Sequence, residues 1–329
     1  MKKLLTMILS AAVSILPLAG CGNSAATSVT PTKNDGQLSI VTTIFPPYDF
    51  TREIVGAYAD VTMLLPPGSE SHTYEPAPQD IITLQNCDLF IYVGGKGDVW
   101  IDDILDSMGD KAPNTLKMMD SVTTVEEQLV EGMEQGGMHQ FSDKDTQSRA
   151  HKETEYDEHV WTSPANAIKI VNSITDAIAT LDSANTQIYR ANADAYIQKL
   201  ATLDDDFYQV IKTAKRNTII VGDRFPFRYF ADAYGLNYYA AFPGCSSETE
   251  ASAATVAFLT DKVMAEGIPA VLYIEFSNHK IADSIAETAG AKTLLLHSCH
   301  SVSKEEIQAG VSYLSLMQNN IETIRQALN

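Results

Sequence analysis

The sequence predicts an α/β protein of two lobes, each with a mainly parallel sheet flanked by helices, joined by one long rigid helix. Three observations carry that expectation. Short apolar runs alternate with helical patterns in both halves of the chain, which is the punctuation of βαβ units. The first-half runs stop at Pro46-Pro47, Pro66-Pro67-Gly68 and Gly94-Gly95. Between the halves, Tyr189, Ala193, Tyr196, Leu200, Leu203, Phe207 and Ile211 recur at three- and four-residue steps. That spacing makes one apolar stripe on a continuous helix.

In chain order, residues 1–20 read as a processing segment. Lys2 and Lys3 precede a short apolar stretch, Leu4 to Leu18, that is brief for a membrane span and suits a secretory signal. Its end, Leu18-Ala19-Gly20-Cys21, resembles the bacterial lipobox, in which Cys21 becomes the lipid-modified first residue. Residues 21–37 are small, polar and aperiodic, and are expected to form a flexible tether. Residues 38–182 form the first lobe, with strands at Leu38–Phe45, Val61–Leu65 and Leu89–Val93 and a helix from Pro78. Within it, 122–158 holds Gly132, Gly136, Gly137, His139, His151 and many acids, the composition of a mobile loop. Residues 183–215 are the linking helix, about 45 Å long for about thirty residues at ~1.5 Å each. Residues 216–329 form the second lobe, with strands at Thr218–Val221, Leu236–Ala240, Ala270–Ile274 and Lys292–Leu296. Ser303-Lys-Glu-Glu306 has the form of a capping box and starts the last helical region.

Composition narrows the function. A hydrophobic content of 45% is that of a globular chain, and a formal net charge of -19 argues against nucleic acid, whose phosphates it would repel. Besides Cys21 there are Cys87, Cys245 and Cys299, an odd number. Cys87 reads as a small buried hydrophobe. Cys245 and Cys299 both follow second-lobe strands. A disulfide between them suits an exported protein, and two free thiols or Cys299 as a soft metal ligand are the alternatives.

Ligands of such sheets sit at the carboxyl ends of strands, so the polar residues there are the candidates. His72 follows the second strand, His159 stands in Asp157-Glu-His-Val-Trp-Thr-Ser-Pro164, and His297 and His300 follow the last strand. Neutral imidazoles converging on a cleft would suit Zn2+.

His72-Thr-Tyr-Glu-Pro-Ala-Pro-Gln-Asp80, followed by Leu84-Gln-Asn-Cys-Asp-Leu-Phe-Ile-Tyr-Val-Gly94, resembles the first metal-ligand motif of the zinc/manganese substrate-binding proteins of ABC transporters. The segment around His159 is similar to the second. The resemblance covers nearly everything after the tether. It implies the cluster A-I fold, a metal in the cleft between lobes, and a monomer lipid-anchored on the outer face of the cytoplasmic membrane that delivers its ion to a membrane permease. It also implies that 122–158 lies where that family has a metal-scavenging loop, so His139 and His151 either capture metal or belong to a solvated linker. At the family's third ligand position this chain has Arg224, which has no lone pair for a metal. Asp223 beside it is a weaker candidate, and Arg224 is expected to pair with an acid such as Glu275. At the fourth position the residue in register is His297. The expected set is therefore His72, His159 and His297 with water or a carboxylate, favouring Zn2+ over Mn2+. If the strand continues extended, His300 falls on the side opposite His297, behind the site or on the surface. An anionic metal chelate is an alternative cargo. A zinc-dependent hydrolase with Glu275 as base is the alternative of another class, although no His-Glu-x-x-His or nucleophile elbow is present.

Overall fold

The structure is a computed structural model that describes residues 36–69, 71, 74–133, 155–246 and 250–329. Cys21, His72, His139 and His151 lie outside the described residues, as do the processing segment and nearly all of the tether.

The first sheet is built from β1 (Leu38–Thr42), β2 (Ala59–Met63), β3 (Leu89–Tyr92) and β4 (Asn114–Lys117), in the order β2-β1-β3-β4 and parallel throughout. Its crossovers contain α1 (Phe45–Val55), α2 (Pro78–Asn86) and α3 (Val99–Met108). Pro46 and Pro47 do not break the chain before a helix. They sit in the first turn of α1, where a missing N–H costs nothing. β4 is an edge strand, Asn-Thr-Leu-Lys, with no buried residue, so no apolar run announces it in the sequence.

The second sheet repeats that topology. It uses β5 (Thr218–Phe225), β6 (Asn237–Pro243), β7 (Ala270–Tyr273) and β8 (Lys292–Leu295), in the order β6-β5-β7-β8, again all parallel. α6 (Arg228–Tyr234), α7 (Ala253–Glu266) and α8 (Lys280–Ala289) connect these strands, and α9 (Lys304–Gln308) and α10 (Tyr313–Leu328) close the chain. The Ser303 capping box is present at α9, although the helical region is broken before α10.

α4 (Pro164–Leu181) leads into one long helix, α5 (Thr186–Lys212), that joins the lobes. α5 buries Tyr189, Ala193, Tyr196, Leu200, Leu203, Phe207 and Val210, so the stripe runs as the periodicity predicts, with Val210 in place of Ile211 at its end. Its neighbours are α1 and α4 on one side and α6 and α10 on the other. One apolar cluster consequently runs through both lobes, from Phe50 and Trp161 to Phe207 and Tyr313, and Gly36–Asn329 form one compact unit. A second cluster, around Ile220, Leu259 and Ile285, fills the space between the second sheet and α7 and α8.

The segment 122–158 differs from a loop that is mobile along its whole length, because both ends are pinned. Glu126 and Tyr156 form an antiparallel bridge, Glu127 N–H donates to Glu155 (2.9 Å) and Asp157 N–H donates to Val125 (3.0 Å). Tyr229 of α6 donates its hydroxyl to the Asp157 carbonyl (2.7 Å) and accepts Val125 N–H (3.3 Å). Thr255 of α7 donates to the Gly132 carbonyl. The acidic, glycine-rich composition does not reveal these anchors, because two of the partners, Tyr229 and Thr255, lie in the other lobe and the rest pair positions about thirty residues apart.

β5 carries a register shift between Val221 and Arg224, which bends the strand end that bears Asp223 and Arg224. At Gly222 an added Cβ would lie 2.5 Å from Ala282 Cα, so glycine is what lets α8 rest on β5. Gly222→Ala is expected to destabilise the protein by about 1–3 kcal/mol through overpacking, read as a lower urea midpoint with an unchanged slope.

Candidate metal centre

The carboxyl ends of both sheets open on a cleft cavity of about 310 Å3 whose wall includes Gly68, His159, Arg224, Gly244, Glu275 and His300. His159 and His300 face one another there with ring centroids 5.9 Å apart. Two imidazoles on one tetrahedral zinc, with Zn–N near 2.0–2.1 Å, would have centroids about 5 Å apart. The pair is thus close to the spacing a shared ion needs.

His159 is placed by its own segment. Asp157 Oδ1 accepts the His159 backbone N–H (2.8 Å) and lies 3.1 Å from Nδ1, so that nitrogen is the donor and Nε2 holds the lone pair. Burial disfavours a charged ring, but Asp157, Glu158 and Glu127 outweigh it and hold the His159 pKa above its ordinary value. Glycine at 244 is needed for this packing, because a Cβ there would come 3.1 Å from the ring. Glu158 in turn accepts Gly97 N–H (3.0 Å). Asp98 accepts Val93 and Gly94 N–H, and burial pushes its carboxyl up to about 7. An acidic wall therefore stands behind His159.

Trp161 locks the two sides together. Fully buried, it donates Nε1–H to the Ser298 carbonyl (2.8 Å) and presents edges to both His159 and His300, each with centroids at 5.4 Å. Tyr313 at the start of α10 donates its hydroxyl to the Trp161 carbonyl (2.7 Å).

The turn after β8 departs from the extended path. Cys299 has φ 61, in the left-handed region, which reverses the phase of the residues beyond it. His300, expected behind the site, is thereby brought into the cleft. Its Nε2 lies 2.8 Å from Ser71 Oγ, the residue before His72. His297, expected as the ligand, is buried away from the cleft wall. Its Nδ1 accepts Cys299 N–H (2.9 Å), and its backbone is held by Asn320. Among the described residues no three His, Cys, Asp or Glu side chains gather closely enough to cage a metal by themselves.

The expected pairing of Arg224 with Glu275 is not among the contacts described for either residue. Arg224 donates Nη1–H to the Ser246 carbonyl (3.4 Å), and its N–H goes to Asp223 Oδ1 (2.8 Å). Glu275 is occupied by the 298–300 turn. Asp223 lines a separate cavity of about 180 Å3 beside Arg224 and Lys280, and burial raises its pKa.

Among the described residues the expected disulfide does not form, and Cys245 and Cys299 each carry a thiol. Cys299 is completely buried. Cys245 stands in the field of Glu158, Asp157, Glu127 and Glu155, and its backbone N–H donates to Glu127. Cys87 is buried as expected, with Sγ 3.2 Å from the Leu84 carbonyl. Asp157, Trp161 and Ser298 are the site residues that sequence reasoning passes over. The Asp-x-His spacing is a legible sign of an orienting carboxylate; the other two act through tertiary contacts.

Two lobes of one topology, a cleft at their strand ends, and an imidazole from each side of it define a two-lobed solute-binding protein. The chain belongs to the family described as zinc-uptake complex component A, periplasmic (ZnuA), which matches residues 40–327. That family is named for a zinc-uptake component. It is 32% identical over 326 residues to the zinc-binding lipoprotein AdcA of Streptococcus pneumoniae, covering 99% of this chain and 61% of that protein. The chain thus spans about three-fifths of AdcA. It is 33% identical over 320 residues to the high-affinity zinc uptake system protein ZnuA of Bacillus subtilis, covering 96% and 95%. Among solved structures, the Zn(II)-bound ZnuA-like domain of Streptococcus pneumoniae AdcA superposes with a TM-score of 0.71 at 31% identity, covering 89% of this chain and 99% of that one. The metal-dependent lipoprotein YcdH of Bacillus subtilis gives 0.73 at 30%, with the same coverage.

Burial raises the Cys299 thiol well above its ordinary pKa, so thiolate is scarce at neutral pH. Native protein should leave Cys299 unalkylated by iodoacetamide at about pH 8. After denaturation without reductant, a form beginning after Cys21 should titrate three thiols, Cys87, Cys245 and Cys299.

Proposed function

We propose that this chain captures Zn2+ outside the cell in the cleft and passes it to the permease of an ABC importer, as a monomer lipid-anchored through Cys21. The observation that carries the reading is the His159–His300 pair at 5.9 Å, one ring on each side of the cleft. With His72 as a third imidazole, the set is three neutral nitrogen donors, which favours Zn2+ over the more oxygen-seeking Mn2+. His300 takes the part that the sequence suggested for His297, and supplies a nitrogen where Arg224 cannot.

The site residues divide the work of capture. Asp157 fixes the His159 tautomer and raises the basicity of its ring. Ser71 Oγ occupies His300 Nε2 and is the partner that a metal would displace. The acidic wall of Asp98, Glu127, Asp157 and Glu158 raises the local concentration of cations. Support for zinc as cargo comes from the family and from relatives named for zinc binding.

Two measurements test the reading. Zinc affinity, measured by competition with a chromophoric chelator, should fall in His159→Ala and in His300→Ala by more than the ~10–100-fold typical of outer-sphere changes. His297→Ala should cost less than either. Retention of stoichiometric zinc in the double variant His159→Ala, His300→Ala would refute the site.

The pH dependence has a definite sign. Zinc takes the neutral imidazole, and the proton is its competitor. Because the folded protein holds the His159 pKa above 6.5, loss of affinity should begin above that pH on acidification. An affinity that stays flat from about pH 8 down to about pH 6 would contradict imidazole ligation.

A further inference from the structure

Glu275 lies two residues beyond β7, and its side chain is 8% exposed. Both of its oxygens are committed to the turn that carries His300. Oε2 accepts Ser298 N–H (2.7 Å), and Oε1 accepts Ser298 Oγ–H (2.5 Å) and His300 N–H (3.1 Å). Between those two donors stands Cys299, left-handed at φ 61, whose N–H turns instead to His297 Nδ1. Successive N–H groups converging through a left-handed residue form a nest, a concavity that binds an anion. Here the anion is supplied by the chain itself.

We infer that Glu275 is a positioning residue for the metal site: its carboxylate holds the 298–300 turn in the conformation that aims His300 into the cleft, and it does not ligate the metal. The inference rests on the reading that His300 is a ligand. It follows from how the oxygens are used. Ligation through Oε1, which already accepts two donors, would cost Ser298 Oγ–H or His300 N–H and so release the turn that presents the imidazole. As an anchor it keeps all three. The carbonyl of Ser298 is fixed independently by Trp161, so the turn is gripped from both lobes. A neutral amide in place of the carboxylate would offer an N–H2 group to one of the N–H donors, and the nest would lose its anion.

The test is a double-mutant cycle on zinc affinity in a soluble form beginning after Cys21, using Zn2+ and a competing chelator. Glu275→Gln should weaken zinc about 10–100-fold, the range for residues that orient a ligand. In a His300→Ala background the same substitution should have almost no further effect, because its route to the metal has already been removed. Equal loss in both backgrounds would show that Glu275 acts directly or through the fold at large and would overturn the inference, as would wild-type affinity in Glu275→Gln. Wild-type affinity in His300→Ala alone would instead sink the ligand reading, a separate outcome. If Glu275→Gln does not fold, Ser298→Ala carries the same cycle, since it removes one donor to Oε1. A loss in Ser298→Ala that disappears in the His300→Ala background supports the inference, and a loss that persists there overturns it.

Discussion

One hydrogen bond, from the Trp161 indole to the Ser298 carbonyl, holds the metal-binding edge of one lobe against that of the other. Much of the cleft's geometry hangs on it. The indole is fully buried, so an unpaired N–H would carry a desolvation cost of about 1–3 kcal/mol. The same ring makes T-shaped contacts with both His159 and His300. Tyr313 ties the Trp161 backbone to α10, and Asp49 of α1 accepts the Tyr313 N–H. A chain of contacts thus runs from α1 to the start of α10 and on through Trp161 to the Ser298 turn at the cleft edge. Together with α5, this explains why the two sheets share one apolar cluster.

Most of the architecture is legible in the sequence because it rests on local periodicity. The alternation of strand and helix and the seven-residue stripe of α5 are each written over enough positions to be read. β4 is not, since an exposed four-residue edge strand has no apolar run to announce it. In the candidate site, His159 is legible from its motif, whereas the phase of the last strand end is not. Placing His300 behind the site assumes that extension continues past Leu296. The assumption fails at Cys299, a residue type that gives no warning of a left-handed φ. The reversal is imposed by Glu275 and Trp161, which stand 24 and 138 positions earlier in the chain. No local pattern could contain it.

The electrostatics of the cleft are asymmetric. Glu127, Asp157 and Glu158 crowd behind His159, and Arg224, a permanent cation, lines the same cavity with its guanidinium turned to the Ser246 carbonyl. The carboxylates behind His159 give its side of the cleft a field that attracts cations.

The two ends of the 122–158 segment meet on a single phenol. Tyr229 belongs to α6 of the second lobe, yet its hydroxyl accepts from Val125 and donates to Asp157, the residue that steers His159. The strap is in effect a tendon between the second lobe and the residue that orients His159. Through that pair of hydrogen bonds α6 helps to set where the His159 ring is held.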